Sequence, residues 1–168
     1  MGRKNSHCSY CGAPFAESAP WPRRCVICER TSYLNPTPVA VVLVPVDEGL
    51  LLVRRTIPPQ VGELCLPGGY VTLGETWQEA GAREVREETG LEIDPGEIRE
   101  FAVRSAPPGD GHLLIFGLAA PRHSLELPPF VPNHEASERV IAFAPQRLAF
   151  PLHTEAADLF FARQPALV

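Results

Sequence analysis

The sequence predicts an α/β fold, a mixed β-sheet sandwiched between helices, preceded by a small zinc ribbon. Three observations carry this. Short runs rich in Val and Leu, Val39 to Val46 and Leu50 to Val53 foremost, have the length of strands rather than helices. The segment from Thr76 to Gly90 carries helix signals at both ends. Two CxxC pairs stand near the start of the chain, ahead of any apolar run. At 168 residues and 45% hydrophobic content the chain can bury a sizeable core, and no 18-residue apolar stretch suggests a membrane span.

Cys8-Ser-Tyr-Cys11 and Cys25-Val-Ile-Cys28 have the form of a four-cysteine zinc site. Each pair would present two thiolates to a tetrahedral ion at about 2.3 Å. Two disulfides are the alternative, and they need an oxidising compartment. Met1 to Ser6 is short, polar and without an apolar core, so no secretory signal is read there, and zinc in a cytoplasmic setting is expected. The same residues fit an N-myristoylation pattern, set aside because it is short and the ribbon begins two residues later. With cysteine in all four places the site would be closed and structural, and a segment of about 30 residues cannot bury enough surface to fold unaided. Pro36 and Pro38 mark the join, placing a zinc ribbon at 1–35 and a second domain at 36–168.

Beyond the join, the runs Val39 to Val46 and Leu50 to Val53 read as two strands joined by a tight turn at Asp47-Glu48-Gly49. Cys65, between Leu64 and Leu66, reads as a buried thiol acting as a small hydrophobe. The helix is expected from about Trp77 to about Thr89. Thr76 and Glu79 form a T-x-x-E capping box, and Gly90 can take the left-handed conformation that ends many helices. Glu84, Glu87 and Glu88 stand on it at i, i+3 and i+4, gathering three carboxylates on one face. They lie in the C-terminal half, where the macrodipole disfavours each by roughly 0.3 to 1 kcal/mol. A divalent cation removes that conflict, and hard oxygen ligands suit Mg²⁺, with Mn²⁺ as a substitute. Arg83 can orient Glu87, and Glu75 can in turn hold Arg83. The competing reading is a solvated acidic face, the common fate of an isolated E-x-x-E-E.

After the helix, Ile98 to Val103 and Leu113 to Ala119 read as strands separated by the breaker-rich loop from Ser105 to Gly111. Leu127 to Pro132 is another loop, Arg139 to Phe143 a further strand. Thr154 to Arg163 reads as a helix with Ala156, Ala157, Leu159, Phe160 and Ala162 free to pack on the sheet.

The complete spacing decides between the metal face and the solvated one. From Gly69 to Leu91 the chain reads G-x5-E-x7-R-E-U-x-E-E-x-G-U with U aliphatic, and chance agreement is on the order of one in a billion per starting position. This matches the Nudix box at every defined position, and the chain resembles a Nudix hydrolase. Leu64 to Tyr70 is similar to that family's strand entering the box, with Leu64 where members often have Trp. The resemblance implies the Nudix α/β/α sandwich and metal-assisted hydrolysis of a nucleoside diphosphate linked to another moiety. It implies Mg²⁺ held by Glu84, Glu87 and Glu88 and by the Gly68 carbonyl, which can approach closely because Gly68 and Gly69 lack side chains. Arg83 and Glu75 would orient the acids. In this family a glutamate just before the last strand often reaches the metal, as ligand or as base. Glu138, next to the strand expected from Arg139, is the first candidate and Glu135 the second. Arg54 and Arg55 could contact phosphate, although an alternating strand points only one of them inward.

Nudix members with a four-cysteine ribbon include pyrophosphatases of ADP-ribose, FAD and NADH. A dinucleotide or nucleotide sugar is therefore expected, cleaved to a mononucleotide and a phosphorylated product. The NADH branch often carries S-Q-P-W-P-F-P-x-S after the box, and Leu127 to Pro132 shares only its proline richness. Pro107, 16 residues past Leu91, matches a proline of ADP-ribose enzymes, a coincidence of small weight among 19 prolines. The net charge of -5 argues against general nucleic-acid binding, which needs a basic surface. A homodimer is what the family suggests. Two other classes stay open: a nucleotide-sensing regulator of the same fold, against which the intact carboxylates speak, and a ribbon that docks RNA or protein through Arg23, Arg24 and Arg30.

Overall fold

The computed structural model describes residues 4–163; residues 1–3, on which the leader and myristoylation readings partly rest, lie outside the described residues. Two compact units follow each other along the chain, the first ending at Pro36 and the second beginning at Thr37.

In the first unit β1 (Arg23–Arg24) pairs antiparallel with β2 (Thr31–Ser32). Two loops of the same build hold the cysteines. In each, the amide four residues after the first cysteine returns to that cysteine's carbonyl, Gly12 N–H to Cys8 O and Glu29 N–H to Cys25 O, both at 2.9 Å. The returning residue sits at positive φ in both, 74° at Gly12 and 60° at Glu29. Glycine reaches that region freely, whereas a side chain there costs roughly 1 to 2 kcal/mol. Among the described residues up to Pro36 only Cys8, Cys25 and Ser32 are buried.

The second unit runs β3 (Thr37–Leu43), β4 (Pro45–Val46), β5 (Gly49–Arg55), β6 (Leu64–Cys65), β7 (Gly68–Tyr70), α1 (Trp77–Thr89), β8 (Arg99–Ser105), β9 (His112–Leu118), β10 (Ala136–Ala142) and α2 (Pro151–Arg163). β3 lies parallel to β9 and antiparallel to β7, and β9 pairs antiparallel with β8, so one sheet is mixed in the order β7-β3-β9-β8. A second, antiparallel sheet is built around β5, which pairs with β10, β4 and β6. The α/β sandwich read from the sequence is therefore present, with two sheets rather than one. Successive residues of β3 feed opposite sides. Val42 joins Val44, Ala82 and Val85 in a cluster with α1, and Val41 and Leu43 join Ala156, Ala157 and Phe160 in a cluster with α2.

The strand predicted as one run from Val39 to Val46 is divided at Val44, and its two parts belong to different sheets. Because both faces of β3 and β4 are buried, the run is apolar throughout and carries no alternation that could mark the break. β10 begins at Ala136, three residues before the predicted start at Arg139, and this shift alters which acid flanks it. α2 likewise begins three residues earlier than read, at Pro151, whose fixed φ suits a first helical turn.

α1 has the predicted limits for the predicted reason. Thr76 Oγ1 accepts from Glu79 N–H at 3.2 Å, Glu79 Oε2 accepts from Thr76 N–H at 2.7 Å, and Gly90 ends the helix at φ 76°. Its inner face includes Gly81, where a Cβ would come within 2.7 Å of Val42, so helix and strand pack at glycine distance.

Candidate active site

At about 100° per residue, Glu84 and Glu88 project about 40° apart on α1, and Glu87 falls about 60° to the other side of Glu84. The structure follows that division. Glu84 and Glu88 turn inward, 8% and 4% exposed, while the Glu87 side chain remains about half exposed. Carboxylate oxygens of Glu84, Glu88 and Glu135 all lie within 4.8 Å of one another. Desolvation, the nearby Glu84 and Glu135 charges adding to it, pushes the Glu88 carboxyl up to about 8, even though Gly68 N–H donates to its Oε2 at 3.1 Å and Arg55 favours the ionised form. Glu84 is raised by the same desolvation. A Cβ on Gly69 would collide with the Glu84 carboxylate, so the glycine is what lets that carboxylate lie against the strand.

Arg83 ties the helix face together. It clasps Glu75 in two hydrogen bonds of 3.2 and 3.0 Å, donates to Glu84 Oε1 at 2.6 Å and Glu87 Oε2 at 3.3 Å, and reaches Tyr70 O at 3.0 Å. The Arg83 guanidinium, with Thr72 N–H donating to the same carboxylate, holds Glu75 down at about 2. Glu87 thus stays on the rim of the cluster, tethered by the arginine that also holds Glu84.

The late acids are placed by the start of β10. Since the strand begins at Ala136, Glu138 lies within it, opposite Arg54, and its Oε2 accepts from Arg54 Nε at 2.7 Å. Glu135 is the residue immediately before the strand, and it is the one that joins Glu84 and Glu88. Arg54 also donates to Gly62 O at 2.8 Å. Arg55 donates to Pro59 O and Ile57 O and lies 5.1 Å over the Phe150 ring; its charge is felt at Glu88 and Cys65, which makes it the inward member of the pair. Cys65 is buried, and burial raises its thiol to about 11, so it stays protonated and packs as a small hydrophobe.

The four N-terminal cysteines also converge. Cys8 and Cys28 sulfurs are 3.7 Å apart and Cys11 and Cys25 sulfurs 3.6 Å. Those separations exceed a disulfide and match the edge of a tetrahedron with arms of about 2.3 Å. The Tyr10 amide 3.4 Å from Cys8 Sγ leads in lowering that thiol to about 6, and the Cys28 and Ile27 amides lower Cys25. Cys11 goes the other way: the Ala13 N–H favours its thiolate, but the neighbouring Cys28, Cys25 and Cys8 groups, with partial desolvation, outweigh it and push the thiol up to about 12. The group could bind zinc.

A family model of the NUDIX domain matches residues 36–163. The chain belongs to the Nudix family. Its relatives include an NAD-capped RNA hydrolase NudC of Klebsiella pneumoniae (strain 342), 34% identical over 92 residues that cover 54% of this chain and 35% of that protein. An ADP-ribose pyrophosphatase of Methanocaldococcus jannaschii is 39% identical over 84 residues, 49% of this chain and 48% of that one. The matched stretch spans about a third to a half of the length of these relatives. Among solved structures, a Nudix hydrolase from Nitrosomonas europaea aligns with a TM-score of 0.76 at 25% identity, covering 95% of this chain and 92% of that one.

The Nudix box thus accounts for Glu75, Arg83, Glu84, Glu87 and Glu88, of which Arg83 and Glu87 meet through i, i+4 spacing on α1. The box does not cover the loop before β10. There Asn133, which sequence reading passed over, donates from Nδ2 to Glu87 O at 2.9 Å and accepts at Oδ1 from Glu135 N–H and Ala136 N–H, each at 2.9 Å. Its signal was present as a Pro-Asn step with an acid two residues on, the composition of an Asx turn.

Proposed function

We propose that the chain hydrolyses the diphosphate linkage of a nucleoside diphosphate joined to another moiety, of the ADP-ribose, FAD or NADH type. The single observation that carries this reading is the cluster of buried Glu84 and Glu88 with half-buried Glu135, acids crowded where they repel unless a cation sits among them. Oxygen-only donors, two of them desolvated, fit Mg²⁺ or Mn²⁺. A bound divalent cation would neutralise phosphate oxygens and acidify the attacking water.

The chain's own residues supply the rest. Glu84 and Glu88 would hold the cation from the inner face of α1, Glu87 from the rim, and the Gly68 carbonyl from the strand beside them. Arg83 and Glu75 fix the carboxylates. Water oxygen adds to one phosphorus, the bridging oxygen leaves on the other phosphate, and the water's proton passes to a carboxylate. Glu135, on a loop and the least buried of the three, takes that proton. The part first assigned to Glu138 falls to Glu135 because Glu138 is paired with Arg54 within the strand. Arg55, the inward arginine, is the phosphate contact, and Arg54 holds Glu138. Cys8, Cys11, Cys25 and Cys28 would bind one structural Zn²⁺.

Incubation with Mg²⁺ and ADP-ribose, FAD, NADH or related dinucleotides, products read by mass, should give a mononucleotide and a phosphorylated remainder from at least one. No Mg²⁺-dependent cleavage of any would end the enzyme reading. A second reading shares the bond and changes the remainder: an RNA ending in NAD. The segment before Thr37 favours it, with Arg3, Lys4, Arg23, Arg24 and Arg30 against Glu17 and Glu29 in a chain that is acidic overall. A relative is named for that substrate. Adding NAD-capped RNA to the same incubation decides it, since preference for capped RNA over free dinucleotide would make RNA the partner.

A further inference from the structure

We propose that Asn133 is a positioning residue that fixes the Glu135 carboxylate against Glu84 and Glu88 by tying its loop to the end of α1. The inference rests on the cation site proposed above.

A helix leaves its last carbonyls without partners of its own. In α1 the Arg86 carbonyl is taken by Gly90 N–H at 2.9 Å. Glu87, Glu88 and Thr89 remain, and all three are met from the stretch of chain that carries Glu135. Asn133 Nδ2 donates to Glu87 O at 2.9 Å and reaches Glu88 O at 3.5 Å, and Arg139 Nη1 donates to Thr89 O at 2.8 Å. The far end of the same amide closes the loop: Oδ1 accepts the Glu135 and Ala136 amides, and Asn133 N–H donates to Ala136 O at 2.9 Å. The amide orientation is dictated by these partners, because the two N–H groups need its oxygen and the carbonyls need its nitrogen. One planar group and two hydrogen bonds therefore separate the α1 backbone at Glu87 from the backbone nitrogen of Glu135. On its other side the loop is held by Thr56, whose N–H donates to Glu135 O at 3.0 Å and whose hydroxyl donates to His134 O.

The tie opposes a force. Three carboxylates with oxygens within 4.8 Å repel, and Glu135 is the member on a loop, free to move away unless the loop is held. Asparagine suits the task because it carries a donor and an acceptor on one short planar group. Aspartate lacks the donor, and serine supports the turn without reaching the helix. Arg139 provides an internal comparison: it caps the same helix end and donates to Pro128 O at 2.6 Å, without contacting Glu135.

A double-mutant cycle on the full chain tests the tie, with affinity for Mn²⁺ alone and turnover of the preferred dinucleotide as readouts. Asn133→Ser, which keeps a turn-forming oxygen, and Asn133→Ala should each lower kcat and Mn²⁺ affinity by about tenfold to a hundredfold, with KM within about twofold. In a Glu135→Gln background the same changes should add less than about twofold, because the residue they act through is already disabled. Arg139→Met should lower the melting temperature and multiply with Glu135→Gln. If the Asn133 and Glu135 losses multiply while the parent binds Mn²⁺ and turns over, the tie is wrong and the cation site stands. If the parent neither binds Mn²⁺ nor cleaves any dinucleotide, the cation site is wrong and the tie falls with it.

Discussion

The ribbon and the box site each gather groups suited to a cation, and they do so by opposite means. In the ribbon only Cys8, Cys25 and Ser32 are buried among the described residues, so beyond the short β1–β2 pairing and contacts at the surface no apolar core there closes the cysteine loops. In the second unit Val41, Leu43, Leu52, Phe116 and their neighbours are closed over whatever the acids do. The fold there holds Glu84 and Glu88 where desolvation disfavours their charge. One site should be made by its ion. The other should be made by the protein and relieved by its ion.

The contrast can be broken from either side, most severely at the ribbon. Stripping zinc should unfold residues 4–36 and leave the core's amide protection intact, since structural zinc contributes about 10 kcal/mol or more to such segments; hydrogen exchange reads this directly. Protection lost equally in both units would show that the ribbon is not held by its ion. At the box, Glu88→Gln should lower turnover by about a thousandfold through loss of a cation ligand, with the protein still folded. Steady-state kinetics beside a melting curve check both halves of that expectation.

A pH titration sharpens the comparison further. Glu88 is raised from 4.5 to about 8, so between those values the folded chain binds more protons than the unfolded one. The stability of the metal-free core should accordingly fall as pH rises through that window and level off above it. The slope should shrink in Glu88→Gln, as measured by denaturant midpoints at successive pH values. The smallest effect expected is in the ribbon, where Gly12→Ala has open space around its Cβ but φ 74°, and should cost roughly 1 to 2 kcal/mol with zinc bound. Glu29 tolerates the same backbone region at the equivalent place, so the fold should survive.

What could be read in the sequence divides along the same physical line. α1 was legible to its ends because capping and left-handed termination are local, written in Thr76, Glu79 and Gly90. The cysteine group was legible because two CxxC pairs are fixed residue types at fixed spacing, and the fold brings the four sulfurs together. The division of the Val39 to Val46 run between two sheets was not, since residues buried on both faces lose their period. Glu135 was ranked behind Glu138 for a related reason: strand limits are set by pairing with β5, and a shift of three residues exchanges the acid before the strand for one inside it. Nor could spacing separate Glu84 and Glu88 from Glu87. Spacing alone gathers them, and the burial of α1 against the sheets decides which two face inward. Asn133 acts through hydrogen bonds to Glu87 and Glu135 that only the fold brings together.

The claim that the core holds its carboxylates against their own repulsion is tested most directly by melting the parent and Glu88→Gln at pH 8 with and without Mg²⁺. Without Mg²⁺ the variant should melt above the parent, because a buried charge has been removed. With Mg²⁺ the parent should rise and the variant should scarcely move. A metal-free variant that melts below the parent, or a parent indifferent to Mg²⁺, would contradict it.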